Sequence, residues 1–287
     1  MSGRSVLFDA PGPVTRRRVL VANVVGGVLV AALVAVVLLR LAEKGQLDAA
    51  RWSPFLTAGP WTNFLLPGLV ETLRAAAIAM VTSGVFGLVF GLGRLSPSRV
   101  VRAVCGTVVE FFRAVPVLLM MIFFWLGLAQ LDLFAPQDLP LVGVVLGLTL
   151  YNGSVVAELV RSGVHSLPKG QREAALAVGL RPGQSLRLVE VPQALIAMLP
   201  ALASQLVVIL KDTALGVIIT YPELLDSARR LGSGQGNILQ SLVVAAVVFI
   251  VINDLLTRLA QWLAGRAGRR TAGTASAEAP ALTVTTR

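Results

Sequence analysis

Lys169-Gly170-Gln171-Arg172-Glu173-Ala174-Ala175 is a basic stretch of small and polar residues, followed by Gly179 and closed by Val189-x-Val191-Pro192. Apolar runs of 20 or more residues, roughly 140–162 and 193–218, flank it on both sides. Runs of that length span a bilayer. A polar segment held between two spans is presented to water, and to whatever grips it there.

Reading outward, the same hydropathy marks six runs: roughly 19–41, 66–93, 103–129, 140–162, 193–218 and 240–264. In hydrocarbon every backbone donor and acceptor must be satisfied internally, so these runs are helices. The fold class that follows is all-α, a polytopic membrane helix bundle of about six transmembrane helices.

A formal charge of +10 raises nucleic acid as a partner, and the placement of the charge answers it. With the N-terminus inside, sixteen basic residues fall on the inner side: Arg4, Arg16 to Arg18, Arg94, Arg99, Arg102, Arg161, Lys169, Arg172, Arg181, Arg187, Arg266, Arg269, Arg270 and Arg287. Five fall outside: Arg40, Lys44, Arg51, Arg229 and Arg230. This is the bias of cytoplasmic loops, which makes both termini cytoplasmic and the charge a matter of membrane topology. The partner implied is membrane lipid, not nucleic acid.

The run 19–41 follows a basic patch as a signal peptide would, yet it is too long and lacks a small-residue cleavage site, so it reads as a retained anchor. Residues 1–18 and 266–287 lack periodicity and read as tails. Between the first two spans, Trp52, Pro60 and Trp61 favour a short interfacial helix within 42–65. Gly84, Gly87 and Gly91, and the pair Gly143 and Gly147, are spaced for close helix approach, although glycine is also common in membrane helices. The lone Cys105 excludes a disulfide framework, and the lone His165 has no second metal ligand near it, so no metal site is expected. Gly232-Ser233-Gly234-Gln235-Gly236 reads as a flexible outer turn. No Gly-x4-Gly-Lys-Ser/Thr occurs in the chain, so ATP hydrolysis by this polypeptide is not expected.

Within the polar segment, Ser166 can cap a helix in which an early Pro168 tolerates its lost amide donor, and Gly179 can end it in a left-handed turn. Pro182 then starts a second short helix, which Pro192 ends or kinks as the next span begins. The result is a helix-turn-helix knob. On its first helix Glu173 offers a directional carboxylate, and the small Ala174 and Ala175 let another surface approach.

Charges inside the spans each need a partner or a watery cavity. Glu110 and Arg113 are spaced to pair along one helix, with Pro116 behind them allowing a bend; a structural brace and a ligand contact are both open. Glu158 and Arg161 repeat the spacing beside the knob, where orienting it is the expected use. Asp254 and Arg258 satisfy one another. Lys211 and Asp212 point about a hundred degrees apart, so a helix break near Thr213, with the two heads reaching different partners, is expected. They line the passage, form a gate, or lock two helices.

The spacing Glu173-Ala174-Ala175, three residues, Gly179, nine residues, then aliphatic-x-aliphatic-Pro192 resembles the coupling loop of ABC-importer permeases. Other blocks are similar to the polar amino-acid uptake branch of that family. These are Glu71-Thr72-Leu73, Phe112-Arg113-Ala114-Val115-Pro116, the run Glu158, Arg161, Gly163, and Lys211-Asp212-Thr213-Ala214-Leu215. The resemblance covers about residues 65–265 and leaves 19–41 as an extra helix. Ala114, Val115 and Ala214 depart from the branch pattern, and Tyr151-Asn152 stands near an Ala-Tyr pair, so substrate contacts do not carry over.

The resemblance implies the type I importer transmembrane fold, with a coupling loop over 163–192 carried by Lys169, Gly170, Gln171, Glu173, Ala174, Ala175, Gly179 and Pro192. It implies a bacterial plasma-membrane permease with no bound cofactor of its own. ATP and Mg would sit on two separate ATP-binding subunits, beside a second permease, identical or sibling, and an extracytoplasmic amino-acid-binding protein. Transport-path or gate candidates are Glu110, Arg113, Glu158, Arg161, Lys211, Asp212 and Thr213. The extra first span and Tyr151-Asn152-Gly153-Ser154 look most like glutamate-import permeases of actinobacteria. Two other classes remain: an ion-driven secondary transporter, which would need its own coupling site and usually a helix repeat, and a non-transporting membrane scaffold.

Overall fold

The computed structural model describes residues 12–275, and every described regular element is helical. The chain divides into two units, residues 1–57 and 58–287.

The first unit is built on α1, Pro13–Glu43, whose opening proline loses a donor that a first helical turn leaves unused anyway. Its charges stand near the two ends, Arg16 to Arg18 and Arg40 with Glu43, the stretch between is apolar apart from Asn23, and none of its 31 residues is buried, as in a helix that crosses hydrocarbon. The helix starts ahead of the expected residue 19, so Arg16 to Arg18 lie on its first turns. A turn of helix at Ala49–Trp52 and a tighter one at Ser53–Leu56 follow, and Trp52 Nε1 donates to the Gln46 carbonyl at 3.2 Å.

The second unit comprises α2 (Ala58–Arg94), α3 (Arg99–Ala114), α4 (Val117–Ala129), α5 (Leu139–His165), α6 (Lys169–Ala177), α7 (Pro182–Ile219), α8 (Leu224–Gln235) and α9 (Ile238–Ala275). Helix α5 is its axis, the most deeply buried of the described helices long enough to cross a membrane. Gly87 of α2 meets Val156 and the Gly153 carbonyl, while Gly91 meets Val160 and the Ala157 carbonyl, and an added Cβ would stand 3.0 Å from each carbonyl. Gly147 likewise admits the backbone of Met121 on α4. These are the close backbone approaches expected from the glycine spacing. Around them lie a core of Ala75, Ala79, Met121, Val144, Leu148 and Ile209, and a second of Val156, Val160, Val164, Ala194 and Met198 nearer the knob.

Five described helices are long and apolar enough to cross a membrane, or six if one bent pair counts as a span. That pair occupies the expected run 103–129, with the bend at Pro116 that the sequence allowed. Helices α3 and α4 meet at 98°, because Pro116 has no amide hydrogen to continue the ladder and holds Val115 in the extended region, at φ −86° and ψ 128°. The 13 residues of α4 reach only about 20 Å, less than a bilayer's hydrocarbon core. Helix α3 carries Arg99, Arg102, Glu110 and Arg113 together with exposed Val100, Val104 and Phe111.

Two prolines that ought to break helices do not. Wide π turns at Trp61–Leu65 and Leu186–Glu190 immediately precede Leu66-Pro67 and Val191-Pro192, and the extra residue in each gives the ring its room. Helix α7 therefore continues through Pro192, where an end or kink was expected. The supposed flexible turn at 232–236 is also helical. Gly232 lies in α8 because Ile238 backbone packs where its side chain would be, and the helix ends only at Gly236, at φ 69°. Helix α9 extends to Ala275 through residues expected as tail, with the Arg266 guanidinium 4.6 Å over the Trp262 ring. Residues 1–11 and 276–287, the remainder of the two expected tails, lie outside the described residues.

Candidate functional site

The knob begins where α5 ends. Ser166 does not cap the following helix; its hydroxyl donates back to the Gly163 carbonyl at 2.8 Å, finishing α5 instead. Pro168 stands at the N-cap of α6 with no side-chain cap, so the first amide groups of that helix are left to outside partners. At the other end Gly179 takes φ +90°. Its N–H donates to the Leu176 carbonyl at 3.0 Å, and the Leu180 N–H donates to the Ala175 carbonyl at 3.2 Å. This paired closure is what a left-handed glycine makes available.

On α6, Lys169, Gly170, Glu173 and Ala174 are exposed. Ala175, expected to share the open face with Ala174, is buried, packing the knob against itself. Gln171 is exposed but fixed, its Oε1 accepting from Gln193 Nε2 of α7 at 3.1 Å. At the start of α7 the Gln184 side chain accepts the Arg181 amide hydrogen at 2.9 Å. Pro192 is exposed two residues past the π turn.

Two features of the knob escaped the sequence reading. Ser185 donates to the Glu190 carboxylate at 2.7 Å, both residues buried, bracing the π turn from inside. The five-residue separation was the available signal, because a π turn closes at that period. Val178 is 78% and Leu176 39% exposed, so the tip is apolar beside the Glu173 charge.

Behind the knob lies a charge network. Glu110 with Arg113, and Glu158 with Arg161, pair as their spacing predicts, at 3.4 and 2.6 Å. Arg94, counted in the sequence only as a loop charge, joins the two pairs: one guanidinium nitrogen lies 2.7 Å from Glu158 and the other 3.0 Å from Glu110. Arg113 also approaches Glu158, at 3.8 Å. Three guanidinium groups and two carboxylates thereby strap the knob ends of α2 and α5 to α3. The forked Arg94 is only 12% exposed, which strengthens its bonds relative to open surface pairs.

Lys211, Asp212 and Thr213 lie far from this network, near the opposite end of α7. Regular α-helix ends at Asp212 and tightens over Thr213–Ile219, with the Thr213 hydroxyl donating to the Leu210 carbonyl at 2.6 Å. The break is where it was expected, but the separate partners for the two charges are not present: neither Lys211 nor Asp212 forms an ion pair among the described residues. Beyond the break, Tyr221 donates to Glu71 Oε2 at 3.0 Å, and the Leu224 amide donates to Thr72 at 3.0 Å, fastening α8 to α2. The fully buried Glu223 caps α8 by accepting the Leu225 and Asp226 amide hydrogens at 2.8 Å. Burial outweighs those bonds, and with Asp226 nearby its carboxyl is pushed up to about 7.

The second unit is thus a helical bundle with a braced knob at one end and, near the other, Lys211 and Asp212 without an ion pair among the described residues. Residues 83–269 match the family described as binding-protein-dependent transport system inner membrane component. The chain is 47% identical over 232 residues to the glutamate transport system permease protein of Corynebacterium glutamicum, covering 79% of this chain and 85% of that one. It is 33% identical to a probable glutamine ABC transporter permease protein of Bacillus subtilis, over 70% of this chain and 92% of the relative. Among solved structures, an amino acid ABC transporter superposes with TM-score 0.67 at 26% identity, covering 74% of this chain and 98% of that one. The MetNI methionine ABC transporter, at 18% identity and TM-score 0.61 over 74% of this chain and 99% of that one, shares the fold. The chain belongs to the family of binding-protein-dependent transport system inner membrane components, and is a multi-pass ABC-importer permease subunit of the inner membrane with the type I fold.

Proposed function

We propose that this chain is the permease half of an ATP-driven glutamate importer, and that the knob is the lever through which a separate ATPase moves it. The observation that carries the mechanism is the continuity of α7. Its 38 residues run from Pro182 in the knob, through the π turn and past Pro192, to Ile219, a rod on the order of 55 Å long. A displacement of the exposed Glu173 and Ala174 face is passed by Gln171 and the buried Ala175 to the base of that rod. The rod delivers it to Lys211, Asp212 and Thr213 at the far end, the gate. The Arg94 network keeps α2, α3 and α5 together as the load arrives.

In this reading ATP and Mg bind two partner subunits, and their closure draws two knobs together. One knob is of this chain and one of a second permease, identical or sibling. The cavity then opens to an extracytoplasmic amino-acid receptor, and hydrolysis reopens it inward. The knob side is cytoplasmic, in keeping with the distribution of arginine. Identity of 47% with a glutamate permease supports the cargo. An ion-driven carrier and a silent scaffold are disfavoured by the family to which the chain belongs.

The test is uptake of labelled glutamate by proteoliposomes holding this chain, its ATPase and its receptor. Uptake should need internal ATP, fail with vanadate, and be competed by excess glutamate more strongly than by arginine or glutamine. Stronger competition by arginine would reject glutamate as the cargo.

A further inference from the structure

Beside the knob a cavity of about 470 Å³ opens between the knob ends of α2 and α5, the start of α3 and the first turn of α6. Its lining sets the cations Arg94, Arg102, Lys169 and Arg172, with His165, against the single carboxylate of Glu190. That carboxylate already accepts the Ser185 hydroxyl at 2.7 Å. Arg94 is held by Glu110 and Glu158, and Arg102 gives one N–H to the Ser96 carbonyl at 2.9 Å. Lys169 and Arg172 make no ion pair among the described residues. The uncapped N-terminus of α6, with Pro168 and Lys169 in the cavity wall and no acidic residue in its first turn, adds amide donors and a positive dipole end to the same space. Cations and amide donors outnumber the one carboxylate in this space.

Depth selects among anions. Arg94 and His165 end two helices long and apolar enough to cross a membrane, and the ends of such helices are where lipid headgroups are met. Directly beside Arg102, α3 exposes Val100, Val101 and Val104, at 72%, 43% and 57%. A helix with cations and bare aliphatic side chains close together suits the headgroup boundary, where a phosphate is met by the first and acyl chains by the second. We propose that this cavity binds the phosphate of an anionic phospholipid from the leaflet on the knob side, tying membrane charge to the position of the knob.

Full-length chain in neutral detergent, titrated with phosphatidylglycerol and followed by native mass spectrometry and by thermal unfolding, tests this. One lipid should bind and raise the unfolding temperature, while phosphatidylcholine should not. Arg102→Gln with Arg172→Gln should weaken binding about tenfold or more, the loss that removing two such cations implies, and Arg102→Lys with Arg172→Lys should restore most of it. Equal stabilisation by phosphatidylcholine would overturn the proposal. So would an equal effect of inorganic phosphate, which would make the site one for soluble anions. If the glutamine pair lost co-purification of the ATPase while retaining phosphatidylglycerol unchanged, the cavity would be a protein contact and the proposal would fail. Should the glutamine pair not fold, the wild-type comparison of the two lipids and phosphate still decides.

Discussion

Gly179 is the residue on which the knob's shape turns. Its φ of +90° lies in a region β-branched residues avoid, while a Cβ built there meets nothing within 4 Å, so the obstacle to substitution is backbone strain alone. Gly179→Val should therefore destabilise the turn by about 1–2 kcal/mol or more and reduce co-purification of the ATPase, whereas Gly179→Asn should retain most of it. Equal recovery with valine and glycine would show that the left-handed turn is dispensable. The role of Gly179 was legible from sequence because a left-handed closure needs that residue type. The inward turn of Ala175 was not, since neighbouring alanines differ only in what the completed fold places against them. Ser166 was misread for a related reason: a hydroxyl before a helix serves equally to finish the helix behind it, and only geometry chooses.

At the scale of elements, the strap behind the knob makes a graded prediction. Arg94→Gln removes the fork joining α2 to both carboxylates and should lower stability by about 1–3 kcal/mol, while Arg74→Gln, which breaks an exposed pair with Glu71, should cost below about 0.5 kcal/mol. Calorimetry of the two variants in one detergent checks the ranking, and equal losses would contradict it. The cap of α8 supplies a pH dependence. The Glu223 carboxyl is pushed up from its ordinary 4.5 to about 7, so the folded state holds the proton more tightly than the unfolded. That contribution to stability is full below pH 4.5 and is lost as pH rises through 7, by at most about 3 kcal/mol. The unfolding temperature of the wild type should fall between pH 5 and pH 8, and Glu223→Gln should flatten that slope; parallel profiles would rule the cap out as its source. Apolar run length located five of the crossing helices, and Pro116 announced the bend of α3 against α4, though not an angle of 98°. The π turns hid because they only relieve a proline that already reads as a breaker, and α8 hid because polar glycines there read as a loop.

For the whole molecule, lipid sets the fold class and water sets the function. Long apolar runs leave the chain no choice but helices, so the bundle was plain in the sequence. The knob was plain too, because its polar residues interrupt those runs. Arg94 shows what the sequence withheld: its two carboxylate partners stand 16 and 64 residues along the chain on two other helices, and no helical spacing connects them. In the proposed mechanism force enters this bundle through the exposed face of α6. Proteoliposomes containing the chain with its ATPase and receptor, carrying Glu173→Arg, test it most directly through the ratio of glutamate accumulated to ATP hydrolysed. Normal membrane insertion with ATP hydrolysis retained and accumulation reduced about tenfold or more is the expected result. An unchanged ratio would contradict the claim.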